Sequence, residues 1–233
     1  MTKQITPWSK KNVKAYGQYD YSELGLIHPQ IVNMLRPLAG KRVADYGCGE
    51  GKLLEELKLA GTDISGYDIS PEMINKAKAR LGKSQKLRVI QSGNIPVADN
   101  SLDAVVSNLV LMMCPSLKEI EQIFREINRV LKPNGDWVYC VTHPAFVDRD
   151  FPTYRNIFKG IRDYFKIGEP YQFVLKKENG CEITDPSFID HNYTLSSYLN
   201  LLPQTGFEFQ ELKEIKIPRV KVSPYMIVRS SKK

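Results

Sequence analysis

No stretch of the 233 residues approaches the roughly 20 consecutive apolar residues that a membrane-spanning helix needs. The first residues, Met-Thr-Lys-Gln-Ile-Thr-Pro-Trp, lack the apolar core of a secretory signal. Cysteine is sparse. Cys48, Cys114, Cys140 and Cys181 form no C-x-x-C pair and have no histidine clustered beside them. Zinc needs four ligands at short paired spacings, so no metal site is expected. Unpaired thiols fit a reducing compartment, and a cytoplasmic protein without membrane contact is expected. Internal repeats, low-complexity tracts and inter-domain linkers are also missing, which predicts a single domain over residues 1–233.

The hydrophobic content of 42% is enough for a real core and excludes wholesale disorder. Formal net charge is +7, mildly basic. Six basic residues lie between Lys76 and Arg88, and five more between Arg219 and Lys233. Such runs read first as solvated surface and second as a weak footprint for nucleic acid or acidic substrates.

Residues 1–27 form a polar N-terminal arm with interleaved rings, Trp8, Tyr16, Tyr19 and Tyr21. A helical pattern (Ile31, Val32, Leu35, Leu38) follows His28-Pro29 and runs to Gly40. Strands are expected at 42–46, 63–69, 87–91, 102–107 and 137–142. Helices are expected between them, with the stripe Met73, Ile74, Ala77, Leu81 after a Ser70-Pro71 cap. Ser116-Leu-Lys-Glu119 reads as a capping box for the most regular helix, whose apolar face is Ile120, Ile123, Phe124, Ile127, Val130 and Leu131. Lys132-Pro-Asn-Gly135 should end it. Strands alternating with helices at this spacing define an α/β protein with a parallel sheet and helices on both faces. The alternation fails over residues 144–190, where nine Phe and Tyr residues show no clear period. An aromatic insertion after strand five, on the edge where α/β proteins bind ligands, predicts a lid. A helix capped by Thr194 and a closing pair of strands, 207–218 and 225–230, complete the chain.

The chemistry concentrates at Arg42-Val-Ala-Asp-Tyr-Gly-Cys-Gly-Glu-Gly51. Glycines at every second position allow a tight turn and close approach of a ligand to the backbone, beside the free N–H groups of a helix start. The spacing is G-x-G-x-G, with Lys52 where a dinucleotide fingerprint has its third glycine. Asp68 ends strand two, 17 residues after Gly51, where a carboxylate can accept both hydroxyls of a ribose. Gly93-Asn94-Ile95 ends strand three, offering an amide for a base edge and an aliphatic group for its face. Together these features specify a nucleoside-containing cofactor.

At these residues the sequence resembles the class I S-adenosylmethionine-dependent methyltransferases, in the small-molecule, methyltransferase-11-like group. The resemblance runs from about residue 28 to 143 and more weakly through 191–218. It rests on VADYGCGEGKLL, GYDISPEMINKAKARL, SGNIPVADNSLDAVVSNLVL and INRVLKPNGDWV. It implies a Rossmann-like, seven-stranded, mostly parallel sheet with its last strand antiparallel, and S-adenosylmethionine as cofactor. By position, Asp45 and the turn Gly47, Gly49, Gly51 would hold the methionine part. Asp68 would bind the ribose and Ile69 would pack on adenine. Asn94, where the family usually has Asp, would meet the adenine amino group, with Ile95 flanking the ring. The Asn108 backbone would face the methionine amine.

A methyl acceptor leaves a weaker trace. His143 follows strand five and His191 precedes the Thr194 helix, and either could serve as a base near neutrality. The group often has His-Arg at the second place, and here Asn192 follows. Tyr16 and Tyr21 could cover the cofactor carboxylate. The expected reaction is methyl transfer to a small organic molecule under the 144–190 lid. An RNA methyltransferase, a non-catalytic binding module and an NAD-dependent oxidoreductase remain as alternatives.

Overall fold

Arg42–Tyr46 forms β1, buried from Val43 onward, because both faces of this short apolar run are covered by helices. The computed structural model describes residues 8–19, 22–82, 86–218 and 220–233, with the side chains of 184–187 outside the description. Tyr21, named above as a candidate cover, lies outside the described residues. Helices α1 (Lys10–Tyr16) and α2 (Leu24–Met34) precede β1. Then follow α3 (Lys52–Leu59), β2 (Asp63–Asp68), α4 (Pro71–Leu81), β3 (Lys86–Val89), β4 (Leu102–Asn108), α5 (Leu117–Val130) and β5 (Leu131–Thr142). Strands β6 (Tyr154–Ile157), β7 (Pro170–Lys176) and β8 (Glu182–His191) come next, then α6 (Leu195–Leu199), α7 (Leu201–Gln204), β9 (Phe207–Glu214) and β10 (Tyr225–Lys232).

The main sheet has seven strands in the order β3-β2-β1-β4-β5-β10-β9. Strands β1 to β5 pair in parallel, and β10 runs antiparallel to both β5 and β9. The chain works outward from β1 in one direction through β2 and β3, then returns to place β4 on its other side. That reversal puts a crevice at the carboxyl ends of β1 and β4.

Side chains alternate across the sheet with period two and split the core into two layers. Val43, Val106, Val138 and Cys140 pack with Ile31, Leu54 and Ile74 of α2, α3 and α4. Ala44, Val105, Trp137 and Tyr139 pack with Phe124 and Ile127 of α5 and Leu202 of α7. Helix starts follow their caps. Ser70 Oγ accepts from Met73 N–H at 3.2 Å with Pro71 in the first position, and Thr194 with Ser197 completes a capping box.

Four local expectations need correction. Helix α2 begins at Leu24 and contains Pro29, rather than starting beside it. The buried stripe Leu24, Ile27, Ile31 and Leu35 outweighs the missing proline N–H. The helix ends at Met34 instead of Gly40, since Pro37 disfavours a helical Arg36. Strand β5 begins at Leu131, which pairs with Leu102, and Lys132-Pro-Asn-Gly135 is a bulge within it rather than a separating turn. The Ser116 box is half made: Ser116 Oγ accepts from Glu119 N–H, but the Glu119 carboxylate takes a bond from Ser92 Oγ at 3.0 Å.

The aperiodic stretch 144–190 folds as a second, three-stranded antiparallel sheet in the order β6-β7-β8. Its rings Phe151, Tyr154 and Phe188 are buried against the main core. Trp8 meets Tyr16 edge to face at 5.4 Å, and both rings lie 6.1 Å from Phe188. The N-terminal arm and the inserted sheet thus pack on each other over one edge of the main sheet.

Phe124 is fully buried and stands edge-on to Trp137 at 4.4 Å. Phe124→Ala should cost about 3–5 kcal/mol through the lost burial and the void left behind. Urea denaturation should show a lower midpoint with an unchanged slope.

Candidate active site

The glycine turn after β1 is held by its neighbour strand, because Gly47 N–H and Cys48 N–H both donate to Tyr67 O, at 2.7 and 3.0 Å. Gly47 has φ +79°, and a Cβ there would come within 2.2 Å of Val110 Cγ2. Only glycine fits. Gly49 has φ +52°, and a Cβ there would meet no atom within 4 Å. Its bare backbone leaves that space to a ligand. Gly51, at φ +83°, is the N-cap of α3.

Asp68 closes this turn from the end of β2. Its Oδ2 accepts from Gly49 N–H at 2.9 Å and its Oδ1 from Ser70 N–H at 2.8 Å. Burial pushes its carboxyl pKa up, and these N–H bonds oppose the shift. Asp45 is fully buried, and its Oδ1 has no hydrogen-bonding partner among the described residues. Burial, reinforced by the negative charge of Asp68, pushes its carboxyl up to about 8.

A cavity of about 420 Å³ opens at the carboxyl ends of β1 to β5, within the range of small-molecule sites. Gly47, Gly49, Asp68, Ile69 and Asn108 line it, as do Tyr16 and Tyr19 of the arm. Asn108 Nδ2 donates to His28 Nε2 at 3.3 Å, and His28 Nδ1 lies 2.8 Å from Glu56 Oε1. Asn108 Oδ1 is buried without a partner among the described residues. The described lining contains three carboxylates, Asp68, Glu119 and Asp190, and no lysine, arginine or histidine.

Several expected residues lie elsewhere: neither Asp45, which is buried, nor Gly51, where a Cβ would meet Leu81 and Ala77 of α4, is among the residues that line the cavity. Asn94 is exposed, and Ile95 is fully buried on the α5 side with its N–H donating to Glu126 at 2.7 Å. The cavity wall is instead made a few residues earlier, by Ile90, Gln91 and Ser92. The chain turns at Gly93, whose N–H donates to Tyr46 Oη at 2.8 Å, and carries the next residues outward. His143 faces away. Its Nδ1 accepts from Ala145 N–H at 3.2 Å and its Nε2 lies 2.9 Å from Glu214 on β9. His191 lines a separate cleft of about 10 Å³, too small for a substrate. Neither histidine reaches the cavity. Asn192 ties down the inserted sheet's loop, donating to the carbonyls of Asp163, Tyr164 and Lys166 and accepting from Arg162 Nε.

Three site features escaped the sequence reading. Glu119 was legible only as a helix cap, His28 only as a helix start, and Asp190 sits in the aperiodic insertion where no spacing singles it out.

A parallel sheet closed by an antiparallel pair, a glycine turn after β1 and an acid ending β2 define the class I S-adenosylmethionine-dependent methyltransferases, and S-adenosylmethionine is the cofactor of that class. Residues 44–139 match the family described as a methyltransferase domain, and the fold of the chain is the one that class has. The demethylmenaquinone methyltransferase of Tropheryma whipplei is 33% identical over 158 residues, 58% of this chain and 65% of that protein. The chain spans 65% of that relative and 23% of the biotin biosynthesis bifunctional protein BioHC of Saccharophagus degradans, less than two thirds of either. Among solved structures, the PH0226 protein of Pyrococcus horikoshii superposes with a TM-score of 0.74 at 18% identity, covering 97% of this chain and 100% of that one. An S-adenosylmethionine-dependent methyltransferase from Mesorhizobium loti superposes with a TM-score of 0.65 at 18% identity, covering 88% and 96%. At these identities the structures support the fold alone.

The site fits that cofactor. Asp68→Ala should weaken binding of S-adenosylhomocysteine, its demethylated product, by roughly 1–3 kcal/mol through loss of charge-assisted bonds. At pH 7 the Asp45 carboxyl, with its pKa near 8, is mostly protonated. A cofactor ammonium group brought close to it would lower that pKa, so binding should release a proton and tighten as pH rises toward 8, with no further gain above it. Calorimetry in buffers of different ionisation enthalpy should detect the proton in wild type and not in Asp45→Asn.

Proposed function

We propose that this chain transfers the methyl group of S-adenosylmethionine to a small organic molecule held beneath the β6-β7-β8 sheet. One observation carries the reading: a single continuous cavity runs from the glycine turn and Asp68 to the aromatic wall made by the arm and the inserted sheet. S-adenosylmethionine supplies a methyl group activated on a sulfonium sulfur. The protein's task is then chiefly alignment of acceptor and methyl, which a walled cavity provides. A protein base is not required for every acceptor, in keeping with the distance of both histidines from the cavity. In this reading residues 1–27 and 144–190 act as arm and lid of one domain. The chain works in the cytoplasm, a view that its four free thiols support.

Asp68 binds the ribose hydroxyls, Ile69 and Ile90 flank the adenine, and Asn108 faces the methionine amine. The acceptors for the adenine amino group come from Ser92 and Glu119 rather than Asn94. Tyr46 Oη, 3.5 Å from Ser92 Oγ, supports that pair from below. A small acceptor is favoured over RNA by the fate of the basic run. Lys76 and Arg80 pair with Glu50, Arg80 also with Glu55, and Lys86 with Asp63. These pairs compensate charges that would otherwise meet phosphates. No helix among the described residues is long and apolar enough to cross a membrane.

A methyl-release assay against a metabolite panel tests the activity. Formation of S-adenosylhomocysteine with at least one small molecule is expected, and salt-sensitive labelling of RNA alone would overturn the acceptor class. For the adenine end, Glu119→Gln should weaken S-adenosylhomocysteine by roughly 1 kcal/mol, and Asn94→Ala should leave it unchanged. The reverse pattern would return the role to Asn94.

A further inference from the structure

Asp190 of β8 is the one charged residue that the inserted sheet contributes to the described cavity lining. It is 3% exposed, and its Oδ2 is buried with no hydrogen-bonding partner among the described residues. The other two carboxylates of the lining are engaged: Asp68 by two backbone N–H groups and Glu119 by Ser92. Burial alone, unopposed by any cation or N–H group, pushes the Asp190 carboxyl up to about 7. A buried acid without a partner is costly to keep, and its place on a cavity wall gives it a use when a ligand arrives.

The surroundings narrow the kind of ligand. Phe188 lies two residues before Asp190 and so projects from the same face of β8, with Phe173 opposite it on β7. Trp8 and Tyr16 continue the wall from the arm. Ring faces attract cations, and a carboxylate bonds an ammonium more strongly than a neutral donor. An anionic acceptor would meet three carboxylates and no cationic side chain among the described lining residues. The +7 net charge of the chain is therefore absent from this wall.

We propose that the methyl acceptor carries an ammonium group and that Asp190 is the residue that receives it, on a wall of aromatic rings. The proposal rests on the methyltransferase reading of the same cavity and adds the acceptor's charge class. It assigns Asp190 the recognition of the cation, whichever atom of the acceptor is methylated.

The test uses the full chain saturated with S-adenosylhomocysteine and matched probe pairs. Butylamine, cyclohexylamine, phenethylamine and tryptamine are each compared with the alcohol of the same carbon skeleton, by calorimetry or saturation-transfer NMR. At least one amine should bind about tenfold or more tightly than its alcohol. Asp190→Asn should abolish that preference while leaving S-adenosylhomocysteine affinity unchanged. The proposal is overturned if no amine outbinds its alcohol in wild type, a comparison that needs no variant to fold. It is equally overturned if a folded Asp190→Asn keeps the preference. Failure of wild type to bind S-adenosylhomocysteine at all would instead overturn the cofactor reading on which the proposal stands.

Discussion

The two backbone N–H groups that Asp68 accepts come from different turns, one from Gly49 after β1 and one from Ser70 before α4. One carboxylate therefore fixes the glycine loop, the end of β2 and the start of the next helix relative to each other. Burying an acid is unfavourable, and these bonds offset part of that penalty while Asp68 still lines the cavity. The loop stays rigid without surrendering its acceptors. Around this clamp, Gly47 is pressed against Val110 and the Asn108 side chain is braced by His28, which Glu56 holds in turn.

The charge of the molecule is distributed against its average. The chain as a whole is basic, yet its cavity shows only carboxylates among the described charged lining residues. Some of the lysines and arginines pair with nearby acids: Arg129 with Glu126 and Asp99, Lys132 with Asp103, Arg229 with Asp136. Net charge thus reports on the outside of this protein. The inside answers to the few acids that the sheet edges and the insertion bring together.

The parallel sheet and its helices were legible in the sequence because each strand is a short apolar run and each helix has a stripe and a cap. Asp68, Gly47 and Gly49 were legible for the same reason: a turn that needs positive φ and an acid at a strand end leave marks one or two residues wide. Ile95 misled because an apolar residue after a turn can equally enter the core, and here Glu126 anchors its N–H there. His143 misled because a histidine at a strand end can bond sideways to the next strand, as it does to Glu214. Asp190 was illegible, since its meaning comes from the packing of β8 against the arm more than 170 residues away in sequence.

Strand β10 sits between β5 and β9, although it follows both in the chain. As the polypeptide emerges during synthesis, β9 appears before the strand that will join it to the sheet exists. Until β10 arrives, β5 presents an open edge and β9 has no partner in the main sheet. Such an edge invites wrong pairing, so the helices α5, α6 and α7 must shelter Trp137 and Tyr139 in the meantime. The final strand is less an addition to the sheet than the keystone without which its last third cannot assemble.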